Sequence, residues 1–160
     1  MLTMQGRKVA ILDVDLHHGN GTQGIFYDRP DVLTVSLHAH PERFYPFFWG
    51  YPGETGQDAG EGANLNLALE RGSGDLPFQQ ALGQGLDAIT RWGADTLVLA
   101  LGLDAFIGDP FAGLAVTTDG FAQIGRQIHA LGLPTLIVQE GGYLCPELGQ
   151  NLAAVLKAFL

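Results

Sequence analysis

The 160-residue sequence has one cysteine, eight basic residues and no apolar run long enough to span a bilayer. Cys145 alone excludes an internal disulfide and fits a reducing, cytoplasmic setting. Eight Lys and Arg against 17 Asp and Glu leave a formal net charge of −9. Such a surface repels nucleic-acid phosphates and mildly favours cationic ligands, so neither a nucleic acid nor a membrane is an expected partner. Met1–Lys8 lacks the apolar core of a secretory leader, so export is not expected. Repeats and low-complexity tracts are also missing. What remains suits a single domain over 1–160, 46% hydrophobic and with 23 glycines for tight turns and loops.

Apolar and β-branched runs mark strands at Lys8–Val14, Val32–Leu37, Thr96–Leu101 and Thr135–Gln139. Asn64–Leu69 alternates and reads as a further short strand. Helices are expected near Thr22–Tyr27, over Pro77–Trp92 with Gly93 as the stop, from a Thr118 cap to about Leu131, and over Glu147–Phe159. Between His38 and Ala63 lies a long segment with three prolines and a cluster of aromatics. Its aromatics argue for burial and order. Doubly apolar strands alternating with helices predict an α/β fold, a parallel sheet flanked by helices on both faces, with Thr135–Gln139 among the buried strands.

In such sheets the ligand site lies beyond the carboxyl ends of the strands. The first strand ends in Asp13, Asp15 and His17, the second in Ser36, His38 and His40. The next two end in Gly102-Leu-Asp104, with Asp109 just after, and in Glu140-Gly-Gly-Tyr143. The amino ends carry almost none of this chemistry. Asp is a poor strand former, and charge packed as tightly as in Asp13–His18 is costly to bury without a cation. Carboxylate and imidazole are typical ligands of a catalytic divalent ion, and three ligands with an open fourth position is the catalytic zinc pattern. Asp15, His17 and Asp104 are the candidate ligands, and an Asp₂His set admits Zn²⁺ or Fe²⁺. Tyr143, behind Gly141-Gly142, is the candidate donor to an oxyanion.

Blander readings stand beside these. Asp13–His18 can be a solvated loop, Gly141-Gly142 a plain turn, and Asp109 a turn acid. Asp119 reads as a helix-start acid and His129 as a structural helix residue. Gly19-Asn-Gly-Thr-Gln-Gly24 matches a dinucleotide fingerprint, but four residues separate it from the strand end and their acids repel a pyrophosphate. Nothing marks Cys145 as a nucleophile except its place after Tyr143.

Five linked motifs resemble the histone deacetylase superfamily. They are Asp13-Val-Asp-Leu-His-His-Gly-Asn-Gly-Thr22, Val35-Ser-Leu-His38, Gly60-Glu-Gly62, Gly102-Leu-Asp104 with Asp109-Pro110, and Glu140-Gly-Gly-Tyr143. Phe44-Tyr-Pro46 and the stretch Gly50–Asn66 are most similar to its bacterial acetylpolyamine amidohydrolase branch. The resemblance implies an arginase/deacetylase-like fold and hydrolysis of acetylated amines, either an acetylpolyamine or acetyl-lysine. It implies zinc on Asp15, His17 and Asp104, with Tyr143 stabilising the tetrahedral oxyanion. It also implies K⁺ beside the zinc, held by the Asp13 and Ser36 side chains and the carbonyls of Asp15, His17 and Leu37. Tyr45 and Gly141 would line the substrate channel.

The chain also departs from the family. The family's fold is about twice as long, and its tandem histidines, the general acid–base pair, precede the metal motif. Only 12 residues precede Asp13 here, and none is His. The expectation is a C-terminal portion of the fold, truncated on its N-terminal side, that retains the metal site and acts weakly or not at all alone. A catalytically silent metal-binding remnant or assembly partner is the alternative. Bare sheet surface would then drive homo-oligomerisation, or pairing with a missing N-terminal half.

Overall fold

A computed structural model describes residues 2–160, so Met1 of the expected 1–160 unit lies outside the described residues. The chain runs β1 (Val9–Asp13), α1 (Asn20–Phe26), β2 (Val32–Ala39), β3 (Asn64–Leu69), α2 (Asp75–Trp92), β4 (Thr96–Leu101), α3 (Thr118–His129), β5 (Thr135–Gln139) and α4 (Leu148–Leu156). Single 3₁₀ turns occupy Thr3–Gln5, Asp58–Gly60 and Lys157–Phe159. The five strands form one parallel sheet in the order β3-β2-β1-β4-β5.

That order places the functional edge. From β1 the chain moves outward to β2 and β3, then returns to the other side of β1 for β4 and β5. The connections leaving β1 and β4 therefore diverge and open a crevice at the carboxyl ends, where α/β sheets bind ligands. Asp13 pairs in register with Ser36 of β2 and Ala100 of β4, so the crevice opens directly beyond it.

One sheet face carries Ala10, Leu12, Leu33, Val35, Leu37, Leu97, Leu99 and Leu101, all buried. Phe78, Leu82 and Ile89 of α2 and Phe121, Ile124 and Ile128 of α3 join them in one apolar core, which Val155 of α4 completes. Apolar residues at helical spacing on α2 and α3 meet the period-two apolar rows of the strands, and this burial is the main force holding the layers together. As expected, Gly93 ends α2 in a left-handed turn, its N–H reaching the Ile89 and Thr90 carbonyls.

The opposite face differs. It presents Ile11 and Asp13, Thr34 and Ser36, Val98 and Ala100, then Leu136 and Val138, with α1 packed beside β2. Flanking helices are present as expected, but β5 is not a buried strand. It is the sheet edge, and Leu136 and Val138 are 59% and 39% exposed. Among the described residues nothing covers that side of β5.

Two further expectations are corrected. Thr117, not Thr118, caps α3, its hydroxyl accepting from Gly120 N–H at 3.1 Å. The Thr118 hydroxyl instead donates to Asn151 Oδ1 at 2.6 Å, tying α3 to α4. The aromatics of the 38–63 segment do not order it by burial: Tyr45, Phe47, Phe48, Trp49 and Tyr51 are all exposed. Polar anchors hold it instead. Glu54 accepts from Gly50 N–H at 2.9 Å and Gln23 Nε2 at 2.7 Å, and Asn64 and Asn66 donate to the Glu54 and Tyr51 carbonyls.

Candidate metal centre

The loop after β1 is built around its own carboxylates. Val14 still donates to Ala100 O at 3.0 Å, so the ladder carries Asp15 to the crevice. Asp13 Oδ1 accepts the Asp15 N–H at 3.0 Å, and Asp15 Oδ1 accepts the His17 N–H at 2.8 Å. Asp104, two residues beyond Gly102, is fully buried, and its Oδ1 accepts the Leu16 N–H at 2.9 Å. Asp15 Oδ2 takes the Gly141 N–H at 2.9 Å, which draws the loop after β5 over the site. Backbone amides thus orient both carboxylates before any ligand arrives.

These bonds bring three side chains together. His17 Nδ1 lies 3.1 Å from Asp15 Oδ1 and 3.1 Å from Asp104 Oδ2. Donor atoms of Asp15, His17 and Asp104 all fall within 4.8 Å of one another, a group of three able to hold a metal ion. Two carboxylates and one imidazole fit a divalent cation such as zinc or iron. Glycine is obligatory at two neighbouring positions. A Cβ on Gly102 would strike the Asp15 backbone, and one on Gly141 would strike the carboxylates of Asp104 and Asp15.

The electrostatics favour a cation at this point. Asp13 is pushed up to about 8 by burial, with the Asp15, Glu140 and Asp104 carboxylates adding to the shift and the Asp15 N–H opposing it. Asp104 is likewise raised, first by burial and then by Asp15, against the pull of His17. Desolvation disfavours charge on His17, yet its hydrogen bonds to Asp104 and Asp15 raise it to about 9. A proton on His17 therefore stands in for the metal. Crowded carboxylates that cannot all ionise without positive charge are the signature of a cation site.

The expected potassium residues fall beside the triad. Asp13 and Ser36 are buried register partners on adjacent strands, and Leu37 follows in β2. Ser36 Oγ lies 2.9 Å from His38 Nδ1, while His38 Nε2 donates to the Gly50 carbonyl at 2.9 Å. That second bond fixes the tautomer, so the Ser36 hydroxyl donates to Nδ1 and turns its lone pairs away from the ring. Burial pushes His38 down to about 4, so it stays neutral.

Two cavities meet at this centre. A polar one of about 470 Å³ is lined by Asp13, Asp15, His17, Glu140, Gly141 and Tyr143, among others. An aromatic one of about 590 Å³ is walled by Phe44, Tyr45, Phe47 and Phe111. His17 and Tyr143 border both. Tyr45 lies in the aromatic cavity, and Gly141 lies against the triad in the polar one. Partial burial raises the Tyr143 phenol, helped by the Asp104, Asp15 and Asp109 carboxylates, and keeps it protonated.

Several contributors were not read from the sequence. Asp109 is a buried anchor, not a turn acid alone: Oδ2 accepts the Tyr143 N–H at 3.1 Å. Phe111 stands edge-on to Tyr143 and His17 at centroid distances of 4.5 and 5.2 Å. Gln23 Oε1 gathers His18, Asn64 and Asn66 within 3.0 Å, stiffening the loop behind the metal motif. Alternating Asn64 and Asn66 in an otherwise apolar strand was the one available signal. Cys145 is half-buried against the core, and His129 packs on Phe159, both structural placements.

Known proteins resemble this chain in sequence and fold. Residues 2–159 match the family described as the histone deacetylase domain. The chain is 46% identical over 157 residues to an acetylpolyamine amidohydrolase of Mycoplana ramosa, covering 98% of this chain and 46% of that protein. It is 36% identical over 168 residues to histone deacetylase 8 of Arabidopsis thaliana, covering 96% and 43%. The crystal structure of an acetylpolyamine aminohydrolase from Burkholderia pseudomallei superimposes with a TM-score of 0.92 at 46% identity, covering 95% of this chain and 44% of that one. The chain thus spans less than half the length of these relatives.

Proposed function

This chain belongs to the histone deacetylase family, and from that membership we propose that it carries the metal half of an amidohydrolase site that removes acetyl groups from acetylated amines, acetylpolyamine or acetyl-lysine. The observation that supports this most is the Asp15–His17–Asp104 triad at the junction of a polar and an aromatic cavity. Zinc, with Fe²⁺ as an alternative, suits the triad. K⁺ suits the Asp13–Ser36 pair with the carbonyls of Asp15, His17 and Leu37. A divalent ion held here supplies Lewis-acid polarisation of an amide carbonyl and activation of water.

The chain's own residues then divide the work. Asp15 and Asp104, held by the N–H groups of Gly141 and Leu16, keep fixed orientations toward the cation. His17 gives up its proton to bind and supports the aromatic wall through Phe44 and Phe111. Tyr143, protonated, donates its phenol hydrogen to the carbonyl oxygen as negative charge develops there. The acyl amide sits in the polar cavity and its alkyl chain runs into the aromatic one.

General base chemistry is the weak point. Of the five histidines, His17 belongs to the triad and His38 is hydrogen-bonded at both nitrogens. His18 is buried on Gln23, His40 Nδ1 accepts from Glu42 N–H, and His129 sits on α3. Lack of a histidine poised as general base lowers a rate by about 10²–10⁴. We therefore assign slow or no turnover to these 160 residues alone. The metal-loaded chain should contain near-stoichiometric zinc or iron by elemental analysis and cleave acetylputrescine or acetyl-lysine peptide feebly. Rates typical of intact enzymes would refute the deficit, and absence of metal would refute the site.

The open side of β5 favours a second reading, a silent metal-binding chain that works by assembly. Leu136 and Val138 beside an unpaired strand edge suit pairing with a second copy. Sedimentation should show a dimer or larger. A clean monomer that binds no hydrophobic dye would sink this reading, and association only with an added N-terminal half would reassign the face. A reducing, cytoplasmic compartment accords with the single Cys145, and among the described residues no helix is long and apolar enough to cross a membrane.

A further inference from the structure

The wall of the aromatic cavity carries a charge that the acetylated-amine reading does not use. Its eight lining residues include two arginines, Arg43 and Arg71, and no acid. Among the described residues neither guanidinium has a carboxylate within ion-pairing distance. Arg43 and Arg71 also line the neighbouring cavity, where Glu42 and Glu70 stand with Ala39 and His40, but neither acid borders the aromatic one. Arg71 Nε donates to the Ala112 carbonyl at 3.3 Å, which anchors that side chain beside Phe111.

The local sign opposes the global one. A net charge of −9 draws cations toward the molecule, yet charges beyond about 8–10 Å are screened at physiological salt. Among the residues that line the aromatic cavity, the two guanidiniums are the permanent charges, beside the titratable His17 and Tyr143. A guanidinium offers a carboxylate a planar, two-pronged hydrogen-bond donor and repels an ammonium. Phe44, Tyr45 and Phe47 provide apolar wall for the methylenes between.

We propose that Arg43 and Arg71 form a specificity subsite for acylated amines whose far end carries a carboxylate, and that they disfavour substrates ending in a second ammonium. The inference rests on the acetylated-amine reading and refines its substrate class. An acetylated ω-amino acid, or acetyl-lysine flanked by acidic groups, fits better than an acetylpolyamine.

Three ligands with the same four-carbon chain separate the possibilities: 5-acetamidopentanoate, N-acetylputrescine and neutral N-butylacetamide. Each is titrated by calorimetry into the zinc-loaded 160-residue chain. The carboxylate should bind about fivefold to tenfold tighter than the neutral ligand, and the ammonium weaker than it. The carboxylate's advantage should shrink as salt rises and vanish in the Arg43→Gln/Arg71→Gln double variant, with Arg71→Lys retaining part of it. Both arginines are exposed, so these changes leave the fold in place. Equal or tighter binding of N-acetylputrescine would overturn the proposal. So would an advantage that survives the double variant, because the carboxylate would then be sitting on the metal. If the neutral ligand also fails to bind, the acetylated-amine reading itself falls and this inference falls with it.

Discussion

The Asp109 carboxylate accepts the backbone N–H of Tyr143 at 3.1 Å through Oδ2 and that of Phe111 at 2.9 Å through Oδ1. One buried side chain thereby sets both the candidate oxyanion donor and the ring that separates it from His17. Asp109→Ala leaves two amides without their acceptor, and a cost of about 1–3 kcal/mol is expected. Urea unfolding should show a lower midpoint, with Asp109→Asn losing less because it keeps one acceptor. An unchanged midpoint in the alanine variant would mean that the Tyr143 loop is held by something else.

Removal of one metal ligand should be visible without any assay of turnover. Zinc at a hundredfold excess over its dissociation constant stabilises a folded chain by about 2.7 kcal/mol. Thermal unfolding with zinc and with chelator should differ accordingly for the native chain and coincide for Asp104→Asn. Asparagine preserves the side chain's size and one acceptor for the Leu16 N–H, so the variant tests the ligand and not the packing. An undiminished zinc shift would exclude Asp104 from the site.

The triad was legible in the sequence because metal ligands in a parallel sheet must leave strand ends, and strand ends can be found from apolar runs. Asp15, His17 and Asp104 stand out as charge where β1 and β4 stop. Asp109 stood out as a residue, but its anchoring role was not legible, and Gln23 was not legible at all, since their partners lie 34 residues away in Tyr143 and 41 residues away in Asn64. The run Thr135–Gln139 reads the same whether both faces are covered or one is open, so the exposure of β5 depended on its place at the sheet edge. The exposed aromatics after β2 misled for a related reason. Aromatic content signals burial only when no polar network orders the loop, and here Glu54, Asn64 and Asn66 do.

Stability of the metal-free chain should fall as pH rises from about 6.5 to 9. His17 is raised from 6.5 to about 9, so its contribution is fully present below pH 6.5 and is lost as pH climbs through 9. Asp13, raised from 3.8 to about 8, favours the folded state only while protonated, so its contribution declines from about pH 3.8 and is gone above 8, adding to the loss over the lower part of this range. His38, lowered to about 4, has the opposite sign, but its effect is confined to pH below 6.5. A divalent ion displaces the His17 proton and neutralises the carboxylates. The stabilisation by zinc should therefore grow with pH, as melting curves at pH 6.5, 7.5 and 8.5 with chelator or metal would reveal. A metal-free melting temperature that rises across this range would contradict the cation-site electrostatics.

Two glycine-to-alanine changes should have opposite outcomes. A methyl on Gly102 would overlap the backbone and Cβ of Asp15, atoms held on one side by β1 and on the other by the Gly141 N–H. Neither can retreat without moving a metal ligand, so Gly102→Ala should cost about 1–3 kcal/mol or more and also weaken zinc binding. Gly83 lies inside α2 and a Cβ there would meet nothing within 4 Å, so Gly83→Ala should stabilise by about 0.5–1 kcal/mol and leave zinc affinity unchanged. Chemical unfolding and zinc titration of the two variants side by side separate a general effect of losing glycine from a local one. If Gly102→Ala bound zinc as tightly as the native chain, close approach of β4 to Asp15 would not be what holds the triad together.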